Sequence, residues 1–110
     1  MMSLQSLLEK LYTPFTELEG VTVTHYKRAE QPPCLIWTED GEDGSFHADN
    51  IKQNQKITGY LDYYTLTEFD PVVDSIQGVL QTSGVGWYLD TVDYEDDTNL
   101  IHYHWVWQVV

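Results

Sequence analysis

The chain has 110 residues, 42% of them hydrophobic and 14% aromatic, with a formal net charge of -13 from 18 acidic residues against five Lys and Arg. That length accommodates one domain, residues 1–110, around one modest core. The charge sign opposes the phosphate contacts that supply most nucleic-acid affinity and disfavours an anionic membrane, and no apolar run approaches the roughly 20 residues that span a bilayer.

Ser3 is a natural cap for a first helix in which Leu4, Leu7, Leu8 and Leu11 recur at helical spacing, with Pro14 and Gly20 bracketing its exit. These leucines are spaced rather than contiguous and follow no basic segment, so the start reads as helix and not as a signal peptide. Val21 to Lys27 alternates apolar and polar residues as a half-buried strand does, and Cys34 to Thr38, directly after Pro32 and Pro33, is a second short strand.

Glu39 to Asn50 holds two glycines and five acidic residues, a composition of turns and solvated backbone, so an exposed loop is expected over about 39–54. Gln55 to Thr65 alternates again, Ile57, Leu61 and Tyr63 against Thr58, Tyr60, Asp62 and Tyr64, with Gly59 a candidate bulge. Asp70 and Pro71 mark a helix start with a stripe of Val72, Val73, Ile76, Val79 and Leu80, ended by Gly84 and Gly86. Trp87 to Asp96 and Leu100 to Val110 read as an antiparallel hairpin turning at Asp97, Thr98 and Asn99. The expected fold is α+β, a mostly antiparallel sheet of about five strands with two helices on one face, in the order α-β-β-β-α-β-β.

His102 and His104 lie two apart on a strand, so both imidazoles point to one face, where His25, His47 or a carboxylate could complete a metal set. The simpler reading places them on the solvent side of a strand whose other face is Ile101, Tyr103, Trp105 and Trp107, and no metal is expected. The acidic runs Glu39 to Asp43 and Asp93 to Asp97 lack the ligand spacing of a calcium loop, and the glycines match no phosphate-binding pattern. Cys34, the only cysteine, sits beside Leu35, Ile36 and Trp37 and reads as an inert core thiol of a protein from a reducing compartment. No catalytic residue, cofactor or enzymatic activity is expected. Tyr60, Tyr64, Tyr88 and Tyr94 exceed what one sheet face needs, and aromatic surplus suits a protein interface. Phe46 and His47 are the sizeable anchors of the acidic loop and, with Tyr60 and Tyr64, the candidate interface residues.

The run Pro33-Cys34-Leu35-Ile36-Trp37 after a leading helix and strand, Gly59-Tyr60-Leu61-Asp62-Tyr63-Tyr64-Thr65 running into Asp70-Pro71-Val72-Val73-Asp74-Ser75-Ile76, and a closing acidic hairpin from Tyr94 to Trp105 resemble the tail-completion or tail-terminator proteins of long-tailed bacteriophages and prophages. The resemblance covers nearly the whole chain. It departs at Cys34 and Trp37, where members often carry tyrosines, and in the unusually acidic loop. It implies a hexameric ring that stops tail-tube growth, contacts the tube protein and the head-completion connector, and takes no cofactor and catalyses no reaction. It also implies assembly in the bacterial host cytoplasm and a final place in the virion tail. Acids lining such a lumen would repel DNA phosphate and let it slide. A rival reading with the same charge is an acidic inhibitor that mimics DNA and occupies a basic protein partner. A hydrolase using His102 and His104 ranks third, since the sequence supplies no evident third ligand.

Overall fold

The structure is a computed structural model that describes residues 3–42 and 55–110. Helix α1 spans Leu4–Tyr12, and the Ser3 hydroxyl accepts the Ser6 amide at 3.2 Å as its cap. Pro14 does not stop the chain's winding. Thr13–Glu17 continues as a 3-10 turn, because proline is tolerated in the first turn, where its missing amide has no partner to lose. This turn drives Phe15 into the core beside Leu7, Leu8 and Leu11.

The sheet contains β1 (Thr22–His25), β2 (Cys34–Glu42), β3 (Ile57–Thr65), β4 (Gly86–Glu95) and β5 (Leu100–Val109), with helix α2 (Pro71–Thr82) between β3 and β4. The spatial order is β1-β2-β3-β5-β4. β1 and β2 pair in parallel, and every other neighbouring pair is antiparallel. This is the expected α+β architecture and element order.

Three local expectations need correction. The acidic stretch does not leave the sheet at Glu39: Glu39 pairs with Gly59, Gly41 with Thr58 and Glu42 with Ile57. Cross-strand pairing with β3 outweighs the turn-forming composition of these four residues. The bulge expected at Gly59 is instead on the opposing strand, where Asp40 is the extra residue between Glu39 and Gly41. The closing turn takes in Asp96 as well, with Asn99 at φ 60, in the left-handed region that asparagine tolerates.

Alternation along β3 holds from end to end: Ile57, Gly59, Leu61, Tyr63 and Thr65 are buried, and the residues between them are half-buried. The buried set joins Leu35 and Trp37 of β2, Trp105, Trp107 and Val109 of β5, and Ile76 and Leu80 of α2 in one core on the helical side of the sheet. Burying each aliphatic side chain of this kind stabilises the fold by about 1.5–3 kcal/mol. The opposite face carries Thr58, Tyr60, Asp62 and Tyr64 of β3 in register with Gln108, Val106, His104 and His102 of β5. No helix among the described residues is long and apolar enough to cross a membrane.

Candidate functional site

β5 is the strand that organises the helix-free face. Inserted between β3 and β4, it sets His104 opposite Asp62 and His102 opposite Tyr64 on one side, and Thr91 and Asp93 opposite the same two histidines on the other. The side-chain period of two sends both imidazoles to the same face, away from Tyr103 and Trp105.

Both rings converge on one oxygen. His102 Nε2 lies 2.6 Å and His104 Nδ1 2.5 Å from Asp62 Oδ1. Burial opposes the charged form of Asp62, but the hydrogen bonds and charge of His102 and His104 outweigh it and hold the carboxyl below its usual value. An ionised carboxylate only accepts, so His102 donates from Nε2 and His104 from Nδ1. Each of the three side chains keeps about a fifth of its surface exposed, 20% for Asp62 and His102 and 22% for His104. The trio is therefore screened from bulk water yet reachable from it.

Aromatic rings fix the imidazoles. Tyr64 stacks on His102 at 4.3 Å between centroids, and Tyr60 tilts against His104 at 5.0 Å. Arg28, from the segment joining β1 to β2, sits 4.4 Å from the Tyr64 ring centroid and reaches Glu95 at 3.8 Å. That joining segment also accounts for Cys34, which is buried on this side of the sheet. Burial pushes the Cys34 thiol up, against the lowering influence of a backbone hydrogen bond at Ala29 and the charge of Arg28, as expected for an inert thiol.

His25 lies apart from this cluster, stacked on Trp37 at 3.6 Å and bonded to Glu39 at 2.7 Å. His47 and Phe46 lie outside the described residues. Of the proposed interface residues, Tyr60 and Tyr64 are half-buried against the histidines rather than free on the surface.

The exposed apolar surface is elsewhere. β4 is an edge strand, and Tyr88, Leu89, Val92 and Tyr94 are all exposed along it. Near its far end Leu66, Val92, Tyr94 and Ile101 line one shallow groove. Phe69 is 89% exposed and sits at φ 56, a left-handed conformation that costs a non-glycine residue on the order of 1 kcal/mol. Sequence reasoning flagged Tyr88 and Tyr94 but missed Leu66 and Phe69. Their signal was apolar bulk in a short connection with no periodicity to place it in a core.

No family model matches this chain, and neither does any curated protein.

Proposed function

We propose that the chain is a structural subunit of a long-tailed phage or prophage tail, forming a hexameric ring at the head-proximal end of the tube, where it ends tube growth and joins tail to head. The observation that carries this reading is the apolar strip along the β4 edge, with Val92 and Tyr94 51% and 58% exposed and Leu66 lining the same groove. An unpaired edge strand offers a row of free amides and carbonyls, and a neighbouring apolar strip supplies the driving force for a second copy to dock there. A ring needs a heterologous interface of this kind, one patch meeting a different one on the next subunit. No catalytic role is assigned to any residue in this reading.

The test is assembly. Light scattering and electron microscopy of the purified protein, alone and mixed with tail tubes, should reveal closed rings or tube-capping rings. Val92→Lys, which sets a charge in the strip while leaving the core untouched, should abolish them and keep the circular dichroism spectrum. A protein that stays monomeric in both settings but binds a basic partner tightly would favour the DNA-mimic inhibitor instead.

A further inference from the structure

We propose that Asp62, His102 and His104 form a binding site for one divalent late transition-metal ion of the zinc, cobalt and nickel class. The sequence supplied two histidines on one strand. The fold adds the third ligand from β3, forty residues away, and places one ligand atom from each residue within 4.8 Å of the others.

The chemistry of the donor set selects the ion. Two imidazole nitrogens and one carboxylate oxygen suit zinc, cobalt, nickel or copper, whereas calcium and magnesium take oxygen ligands in larger number. Three protein ligands leave further positions for water, which the partial exposure of all three side chains admits. The nitrogens now lie 2.5 and 2.6 Å from the carboxylate oxygen, whereas ligand atoms about 2.0–2.2 Å from a tetrahedral ion stand roughly 3.4 Å apart, so each nitrogen–oxygen separation must open by roughly 0.8 Å. The three side chains stand on paired strands, so rotation about their own side-chain bonds is the movement this requires.

Protons balance simply. The ion takes the place of the two N–H groups that face Asp62 Oδ1. A neutral imidazole moves its proton through solvent to its other nitrogen and releases none, while an imidazolium releases one to water. For His104 that other nitrogen, Nε2, stands 4.0 Å from Asp90 Oδ2, beyond a hydrogen bond, so the bulge that takes Asp90 out of register leaves a carboxylate near the outer side of the ring. Tyr64 stacked on His102 and Tyr60 tilted against His104 flank the two rings. The strongly acidic chain, at net charge -13, favours a cation here.

Cobalt(II) titration of the full chain at neutral pH, followed by its visible absorption, gives the direct test. One ion should bind per chain, zinc should displace it, and excess calcium or magnesium should not. His102→Gln with His104→Gln should weaken binding by at least about a hundred-fold, beyond the ten- to hundred-fold typical of an outer-shell loss. Asp96→Asn with Asp97→Asn, in the exposed turn, should leave it unchanged. In the unaltered protein, cobalt should shift the proton resonances of His102 and His104 far more than those of His25 and His47. The proposal is overturned if no stoichiometric binding occurs, if the double histidine variant binds within two-fold of the original, or if the largest shifts fall on His25 or His47.

Discussion

A side chain at position 59 would have to share space with the Trp107 indole and the Thr38 carbonyl oxygen. Gly59 pairs directly with Trp107, whose ring lies across the glycine and donates its Nε1 hydrogen to the Tyr60 carbonyl at 2.8 Å. The glycine is thus required by close approach, with neither a turn nor a bulge of its own. Gly59→Ala should lower stability by about 1–3 kcal/mol, because either the buried indole or the β2 backbone must move. A urea midpoint unchanged from the original protein would mean that Trp107 has an alternative rotamer to retreat into. The partners of Asp62 stand in a different strand and are invisible from its own neighbours in the chain.

At the scale of elements, α2 depends on a single carboxylate. Asp70 Oδ1 accepts the Val72 amide at 2.9 Å, while Oδ2 accepts the hydroxyls of Tyr63 and Thr65, each at 2.7 Å. One side chain therefore caps the helix and ties it to the end of β3. Burial works against the charge of Asp70, but the hydrogen bonds from Tyr63, the Val72 amide and Thr65 prevail and lower its pKa. A lowered carboxyl contributes stability that is complete above its unfolded value, near pH 3.9, and is lost as pH falls through the folded value. Asp70→Ala should cost about 1–2 kcal/mol at neutral pH through the lost cap. The gap between variant and original should narrow in acid, below about pH 4. Chemical denaturation across that range checks it, and a constant gap would show that the charge of Asp70 contributes nothing. Asp70 also explains its neighbour, since Phe69 adopts its left-handed conformation immediately before the extended cap residue and points outward.

Over the whole molecule, charge and apolar surface pull in opposite directions. A chain of net charge -13 repels its own copies, and Asp90, Asp93 and Glu95 lie on the strand that carries the apolar strip. Self-association through β4 must overcome that repulsion, which acts over a screening length of about 8 Å at physiological salt and about 3 Å at 1 M. Raising the salt should therefore promote assembly of the isolated protein, with a larger mass by light scattering. An assembly that instead dissociates with salt would be held by ion pairs, and the apolar strip would not be its interface. On the opposite face the acidic background has the converse effect and favours the cation proposed for Asp62, His102 and His104.

Element types, caps and faces were determined by the sequence itself. The leucine spacing of α1, the Asp70-Pro71 start of α2 and the strict alternation along β3 are local signals, read over a few residues, and each acts through its own backbone periodicity. The side of β5 that carries His102 and His104 was legible for the same reason. Strand neighbours were not. Only the tertiary structure inserted β5 between β3 and β4, extended β2 through Glu42 and left β4 at the edge, because pairing is decided by contacts between residues far apart in the chain. That choice alone brings Asp62 to the two histidines and exposes Val92 and Tyr94 beside Leu66. Periodicity assigns each side chain a face, and the sheet order then decides what it meets there.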